Sequence, residues 1–218
     1  MKIDMHVHTS QASLCACVDA KETVQMYKDA GYDGIVLTNH YNIYQFPFYE
    51  NSPHKTAENF ICAYENAKEE GDKIGLKVLL GCELSFTDSN NDYLLYGLDC
   101  DFIEFIADKL NVSFSEFLKY KPENTLIYQA HPFRNHMKIT PPQLLDGIES
   151  YNGNPRHDSR NEIAKEWAKK FSLKTVSGSD FHQPEDIAIG GIVTEKLIKD
   201  NTDLIELLKS QEYELIKK

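Results

Sequence analysis

The sequence of 218 residues lacks the features that define several classes of protein. No segment approaches the ~20 apolar residues of a membrane-spanning helix, and Met1 and Lys2 lead directly into a strand pattern rather than a signal peptide. The five cysteines are an odd number without a CxxC spacing, which argues against a disulfide framework and against a zinc ribbon. We therefore predict a cytoplasmic protein with reduced thiols.

Basic residues are also few. The chain has 23 Lys and Arg residues against 34 Asp and Glu residues, a formal net charge of −11. General nucleic-acid binding requires a basic surface, so neither nucleic acid nor a membrane is an expected partner. Carboxylates that gather to bind divalent cations would contribute to this acidity, because bound metals cancel such local charge.

Short apolar runs alternate with helical segments, without an internal repeat or a linker. Strands are predicted at 2–8, 34–39, 77–86, 92–98, 125–131, 147–152 and 174–180, with 190–195 as an eighth strand or a cap. Helices are predicted at 20–30, 56–73, 101–108, 113–119, 158–171 and 200–210. Continuous apolar runs are typical of parallel strands buried on both faces, so the alternation predicts one α/β barrel domain over 1–218. Segment 41–55 is aromatic and aperiodic, and we interpret it as a loop or lid.

The first strand places polar residues at every second position. Asp4, His6 and His8 share one face, whereas the other face is apolar and is expected to join the core. Two neighbouring neutral imidazoles suit a divalent metal, and we expect the adjacent carboxylate of Asp4 to orient one of them.

Further potential ligands end or directly follow the later predicted strands. They are His40, Glu83, His131, Asp180 and His182. The carboxyl ends of barrel strands meet at one mouth, where barrel enzymes carry their chemistry. The set is too large for one ion, which indicates two or three divalent metals, with Zn, Mn or Fe favoured by the imidazoles and carboxylates. His54, His136 and His157 lie in predicted loops and are interpreted as solvated residues.

Six short motifs occur in a fixed order along nearly the whole chain. They are DMHVHTS at 4–10, TNH at 38–40, GCE at 81–83, AHPFR at 130–134, ESYNG at 149–153 and GSDFH at 178–182. The ordered set resembles the PHP (polymerase and histidinol phosphatase) family of phosphoesterases. The resemblance implies a distorted (β/α)7 TIM-like barrel with a metal cluster at its mouth.

The resemblance also implies how the ligands divide among the cations. One cation would be bound by His6, His8, Glu83 and Asp180, a second by Glu83 and His131, and a third by His40 and His182. Two positions depart from the fullest family pattern. Asp92 stands where a histidine is often found, either as a metal ligand or as a solvent-facing carboxylate. A histidine that often follows the first motif is missing, and Ser10, Ser13 and Cys15 occupy that region instead.

The implied reaction is hydrolysis of a small phosphomonoester. A hydroxide that bridges two metals would attack phosphorus, since metal binding lowers the pKa of water from about 16 to about 7. His182, or otherwise His157, would protonate the leaving oxygen, and Asp180 is counted among the catalytic residues with His182 and Arg134.

The chain has three arginines, and two of them could contact the phosphate. A guanidinium matches a pair of phosphate oxygens, and Arg134 directly follows the AHPF run. Its alternative role is a structural salt bridge to a barrel carboxylate. Arg156 is the second choice for the phosphate, and Arg160 is assigned to its helix.

Two other functions remain compatible with the sequence. An amidohydrolase also pairs an HxH motif with a late aspartate, although no lysine at a mid-chain strand end is a candidate bridging ligand. A non-catalytic, metal-stabilised PHP module is the other alternative. The substrate could be a histidinol phosphate, a nucleotide, a sugar phosphate or a phosphotyrosyl peptide. The aromatic side chains of 41–49 could stack on a substrate ring or form a hydrophobic lid.

Overall fold

A computed structural model describes all residues 1–218. The strands are β1 (Lys2–Val7), β2 (Gly34–Leu37), β3 (His40–Tyr41), β4 (Lys77–Ser85), β5 (Asp92–Tyr96), β6 (Leu126–Gln129), β7 (Gly147–Asn152), β8 (Lys174–Gly178), β9 (Gly190–Val193) and β10 (Glu214–Lys217). The α-helices are α1 (Ala20–Asp29), α2 (Pro53–Ile74), α3 (Cys100–Ile106), α4 (Phe114–Phe117), α5 (Asn161–Phe171) and α6 (Asn201–Ser210). No helix is long and apolar enough to cross a membrane.

Seven strands form a nearly closed barrel in the order β1-β2-β4-β5-β6-β7-β8. Just beyond β8, Phe181 bridges to β1: the His8 amide donates to the Phe181 carbonyl at 3.0 Å, and the Phe181 amide donates to the His6 carbonyl at 3.3 Å. The predicted α/β barrel is therefore confirmed. The run at 190–195, left open between strand and cap, forms β9, which pairs antiparallel with β1 outside the barrel.

Strand β5 departs from the expectation of a parallel sheet, because it runs antiparallel to both β4 and β6. A short turn rather than a helix joins β4 to β5. The apolar pattern alone could not reveal this direction, since β5 is buried along Tyr93–Tyr96 just as the parallel strands of the barrel are buried. One consequence concerns the barrel mouth: the first residue of β5, not its last, lies at the carboxyl ends of the other strands.

A hydrophobic cluster lies beneath the mouth. Ile3 and Met5 are fully buried in it, as predicted, and α6 contributes Leu204, Leu207 and Leu208. Burial of each such side chain is worth about 1.5–3 kcal/mol. The strands that contribute to this hydrophobic cluster also carry the polar residues at the mouth.

Segment 41–55 is more regular than its aperiodic sequence predicts. Tyr41 belongs to β3 and its ring packs 5.1 Å from that of Phe60, and a 3-10 helix spans Ile43–Phe48. Helix α2 begins at Pro53 rather than at the predicted 56, because the Ser52 side chain accepts a hydrogen bond from the Lys55 amide.

Candidate metal centre

All eight predicted metal ligands meet at the mouth of the barrel. They are His6 on β1, His8 after it, His40 on β3, Glu83 on β4, Asp92 on β5, His131 after β6, and Asp180 and His182 after β8. Asp92 reaches the mouth as the first residue of β5 because that strand is antiparallel. The pairing of β3 with β4 sets His40 directly beside Glu83.

Four of these residues enclose a space of the size that a metal ion requires. The Nε2 atom of His6 is 3.4 Å from Glu83 Oε1 and 3.4 Å from Asp180 Oδ1. The Nε2 atom of His8 is 3.4 Å from Glu83 Oε2 and 3.5 Å from the same Asp180 oxygen. Four ligands about 2.1 Å from a tetrahedral ion are roughly 3.4 Å from one another. The observed separations therefore suit a bound divalent cation.

The hydrogen bonding of these atoms supports the same interpretation. His6 Nε2 and His8 Nε2 are buried and have no hydrogen-bond partner. A buried polar atom without a partner is costly, and buried groups of this kind are normally satisfied by a partner or an ion. These residues fit a metal, and they would bind it through the two unpartnered histidine nitrogens and the carboxylates of Glu83 and Asp180.

A second group of donor atoms consists of Glu83, Asp92 and His131. His131 Nε2 is 3.2 Å from Glu83 Oε1 and 3.9 Å from Asp92 Oδ2. Ser85 donates to Asp92 Oδ1 at 2.5 Å. The Asp92 carboxylate therefore faces the site. The alternative interpretation, in which it faces the solvent, is not what the structure shows.

A third group consists of His8, His40 and His182. The two oxygens of Glu83 contact all three groups, since Oε2 is also 2.9 Å from His40 Nδ1. The three groups correspond to the three ligand sets that the resemblance implies, with His8 shared between the first and the third. Which cations occupy them stays a prediction.

Glu149 on β7 orients His6, a role that we had expected for Asp4. The His6 Nδ1 atom lies 2.9 Å from Glu149 Oε1, so its proton is directed away from the metal-facing nitrogen. The other Glu149 oxygen accepts hydrogen bonds from the amides of His131 and of the Asn152 side chain. Asp4 instead accepts hydrogen bonds from Tyr27, from Ser179 and from the backbone amide of His6, so our expectation that it orients an imidazole is wrong. The only sequence signal for Glu149 is its place in the ESYNG motif.

Ser13 orients His8 in a similar way. Its hydroxyl donates to Asn39 Oδ1 at 2.9 Å, and it therefore accepts from His8 Nδ1 and from the His40 amide, each at 2.9 Å. The orientation of Asn39 is fixed because its Oδ1 also accepts from the Thr9 amide. His8 consequently presents an unprotonated Nε2 to the site.

Two site residues have a positive φ angle that side chains rarely adopt. The φ angles are 28° at His131 and 52° at Asp180. Such conformations cost of order 1–3 kcal/mol each and concentrate at functional sites. The backbone at both strand ends is therefore shaped to direct the side chains into the centre.

Charge interactions shift the pKa values of several groups. Burial alone would raise the pKa of the Glu83 carboxyl, but the charges of His6 and His40 hold it well below its ordinary value. Burial and the charges of neighbouring imidazoles lower the pKa of His8 well below its ordinary value. Burial opposes ionisation of the Cys15 thiol, but hydrogen bonds with His182 and His40 lower its pKa to about 6. Anionic carboxylates and a neutral His8 are the forms that bind metals.

Arg134 makes the salt bridge that was the alternative to phosphate binding. Its Nη2 atom is 2.8 Å from Asp180 Oδ2 and 2.9 Å from Asn152 Oδ1. This contact uses one nitrogen, and the buried Nε atom has no partner. Arg156 forms two hydrogen bonds with Asp186, at 2.5 and 2.7 Å, and this pair occupies the fork of its guanidinium.

A cavity of about 230 Å³ opens over the centre. Its lining is Cys15, His40, Asp92, His131, Arg134, Asn154, Arg156, His157, Asp180, His182 and Gln183. His157 thus borders the site, unlike His54 and His136, although it is itself exposed as predicted. None of the aromatic residues of 41–49 lines the cavity, and Tyr44 and Phe48 are instead 67% and 66% exposed.

Comparison with known proteins gives the class of this molecule. The PHP domain model matches residues 4–217, and the chain therefore belongs to the PHP family. Its sequence is 24% identical over 218 residues to the DNA polymerase III subunit alpha of Aquifex aeolicus, covering 98% of this chain and 18% of the polymerase subunit. The chain thus spans less than a fifth of that relative.

Solved structures share the fold at low sequence identity. A two-domain protein from Bacteroides vulgatus, which contains a predicted PHP-like metal-dependent phosphoesterase, superposes with a TM-score of 0.65 at 18% identity, over 100% of this chain and 64% of that one. PsfC from Pseudomonas syringae gives 0.66 at 14% identity, over 100% and 91%. An amidohydrolase from Chromobacterium violaceum, with bound sulfate and no metal, gives 0.59 at 14% identity, over 100% and 98%.

Proposed function

We propose that this PHP chain is a metal-dependent hydrolase that cleaves a small phosphomonoester. The observation that carries the proposal is the buried group of His6, His8, Glu83 and Asp180, in which the Nε2 atoms of both histidines have no hydrogen-bond partner and face the two carboxylates at 3.4–3.5 Å. Two or three divalent cations, Zn, Mn or Fe, would make water acidic enough to supply hydroxide near neutral pH and would neutralise phosphoryl oxygens.

The protein's own residues would bind and orient the substrate. Arg134 lines the cavity and its salt bridge uses only Nη2, so Nη1 can contact a phosphoryl oxygen while the guanidinium remains paired with Asp180. The bond to Asp180 fixes the guanidinium relative to the metal ligands. Because the guanidinium is already held in place, less conformational freedom has to be lost when the transition state forms.

His182 is our candidate for the proton donor to the leaving oxygen. Its Nδ1 atom lies 2.9 Å from the Asp180 carbonyl oxygen, which can only accept, so Nδ1 carries a proton. The Nε2 atom then exchanges protons with the leaving group, provided that no metal occupies it. His157 also lines the cavity and is the alternative donor.

The cavity favours a small polar substrate. Its volume of about 230 Å³ is below the 300–1,000 Å³ of drug-sized ligand pockets. Its lining is almost entirely polar and includes no phenyl or phenol ring. A sugar phosphate or a similar small phosphomonoester therefore fits better than a phosphotyrosyl peptide.

A parallel panel of substrates tests this function. The full chain would be stripped with a chelator, reloaded with Zn, Mn or Fe, and assayed on sugar phosphates, nucleotides, histidinol phosphate and a set of amides. We expect phosphate release that depends on metal and is absent from the stripped protein. Hydrolysis of amides alone would show an amidohydrolase, and the absence of any turnover with metal bound would show a non-catalytic module.

A further inference from the structure

Arg160 is not part of the helix to which its sequence position assigned it. It precedes Asn161, the first residue of α5, and its backbone has a positive φ angle of 49°. Its side chain does not cap the helix, although the residue at this position is usually Ser, Thr, Asp or Asn, which bind the first amides. A cation here is also unfavourable, because the helix dipole is positive at its N-terminus. Three local rules are broken at one position, as is expected of functional residues.

The guanidinium of Arg160 contacts the loop that carries Arg134. Its Nη1 atom donates to the Phe133 carbonyl oxygen at 2.6 Å, and its Nη2 atom donates to Asn135 Oδ1 at 2.5 Å. These two acceptors belong to the residues directly before and directly after Arg134. The contact between Arg160 and Asp158 is longer, at 3.8 Å, so the loop is the main partner of this guanidinium.

The loop has few other hydrogen bonds to the rest of the protein. Within residues 133–137 the backbone hydrogen bonds are local, since the Arg134 amide donates to the His131 carbonyl and the Met137 amide donates to the Arg134 carbonyl. Apart from those of the Arg134 side chain itself, the hydrogen bonds that join this segment to another element come from Arg160. The position of the Arg134 backbone therefore depends on Arg160.

The side chain of Arg134 has freedom that this backbone support can limit. Its Nη2 atom donates to Asp180 Oδ2, Asn152 Oδ1 and Ser159 Oγ at 2.8, 2.9 and 3.3 Å. All three hydrogen bonds use the same nitrogen, so they leave the guanidinium able to turn about it. A group that binds substrate must be held in one orientation, and fixing the backbone on both sides of Arg134 contributes to that.

We propose that Arg160 is a positioning residue for Arg134, which holds the residues on either side of it and strengthens substrate binding through it. Arg160 does not line the cavity, so it acts without touching the substrate. The inference rests on the proposed function, because it requires that Arg134 binds a phosphoryl oxygen. It adds a residue that lies outside the six sequence motifs.

Steady-state kinetics of the metal-loaded full chain test the effect on binding. With the best phosphomonoester, Arg160→Ala should raise KM roughly tenfold and change kcat by less than about twofold, because displacement of a substrate-binding group is costly. We expect displacement of the loop and not its unfolding, since Phe133 keeps its ring contact with Trp167 of α5 at 6.0 Å. Asn135→Ala should raise KM less, because the hydrogen bond to the Phe133 carbonyl remains.

Two further variants separate positioning from general stabilisation. When Arg134→Ala and Arg160→Ala are combined, KM should stay within about twofold of its value in Arg134→Ala alone, because Arg160 acts only through Arg134. Arg160→Lys keeps the charge without the fork, so its KM should lie between those of the native chain and Arg160→Ala. Lys165→Ala is the matched control, since Lys165 lies on the same helix and pairs with Glu162 at 3.4 Å, and its KM should be unchanged.

Solvent exchange of the Arg134 Nε proton provides a readout that needs no turnover. This Nε atom is buried, and its nuclear magnetic resonance signal is identified by its loss in Arg134→Lys. We expect exchange at least about tenfold faster in Arg160→Ala than in the native chain, at a similar midpoint of thermal unfolding, because only the local structure is loosened. Exchange in Lys165→Ala should be unchanged. Asn135 is exposed, so Asn135→Ala provides the same comparisons if Arg160→Ala does not fold.

The outcomes distinguish this inference from the proposed function. An unchanged KM or an unchanged Nε exchange rate in Arg160→Ala would overturn the inference. Effects on KM that multiply when Arg134→Ala and Arg160→Ala are combined would also overturn it, because they would show that Arg160 acts independently of Arg134. Faster Nε exchange in a chain that releases no phosphate in its native form would support the positioning of Arg134 and overturn only the proposed function.

Discussion

The inner and outer parts of the metal centre differ in how firmly the fold fixes them. The inner residues His6, His8, Glu83 and Asp180 are at most 2% exposed. The side chains of His40 and Asp92 on the outer part are 24% and 19% exposed. Each inner imidazole also donates Nδ1–H to a buried acceptor, whereas His40 Nδ1 faces Glu83 itself. The inner part is therefore preorganised before any metal binds, and the outer part depends more on the cations and the substrate.

The largest expected effect comes from the inner part. Asp180→Asn should abolish phosphomonoester hydrolysis while the fold is retained, because the amide keeps the shape but loses the charge that binds metal. His8→Ala should have the same result. Phosphate release with metals restored, measured beside circular dichroism, checks both variants. His54→Ala is the matched control, since His54 is exposed and pairs with Glu104 and Asp108. Undiminished turnover in both inner variants would refute the assignment of the site.

Glu149→Gln tests whether preorganisation of the inner part matters. Glu149 now accepts hydrogen bonds from His6 and from the His131 amide. In the variant, the NH₂ group of the glutamine would face one of these two donors, and that hydrogen bond would be lost. We expect metal affinity to fall 10–100-fold, with activity largely recovered at excess metal. The metal concentration for half-maximal activity is the measurement. An unchanged value would mean that the orientation of His6 does not depend on Glu149.

Arg134→Ala should separate substrate binding from chemistry. The loss of charge-assisted hydrogen bonds worth about 1.5–3 kcal/mol predicts a KM roughly 10–100-fold higher, with a smaller fall in kcat. Arg134→Lys keeps the charge without the fork and should be intermediate. Steady-state kinetics on the best phosphomonoester would show the difference, and an unchanged KM in the alanine variant would leave Arg134 only its salt bridge to Asp180.

The sequence predicts the fold well because its signals are local. The apolar runs locate the barrel strands, and polar residues on the first strand and at later strand ends locate seven of the eight candidate ligands, whereas Asp92 was found only through the family pattern. The composition of β5 does not show its direction, but the connection does: only five residues separate the predicted strands 77–86 and 92–98, too few for a parallel crossover. Strand β10 was missed because it is a half-exposed edge strand with little apolar pattern.

Residues that orient ligands were harder to identify than the ligands. Glu149 contacts His6 across 143 residues of sequence, and no local pattern connects them. Asp4 is near His6 in sequence, which suggested the wrong partner. Ser13 was considered only as a substitute ligand, although it accepts hydrogen bonds from His8 and His40. Such roles depend on the closure of the barrel, which brings distant strands together.

The smallest effect is expected beyond the outer part, in the 3-10 helix Ile43–Phe48. Tyr44 and Phe48 are mostly exposed and do not line the cavity, so stacking on a bound substrate would require this helix to move. We expect Tyr44→Ala and Phe48→Ala to change kcat/KM by less than about twofold, for aryl and alkyl phosphates alike. A fall confined to aryl phosphates would show that one ring stacks on the substrate. The site would then extend outward to this helix, and the outer part would differ even more from the buried inner part in its exposure to solvent.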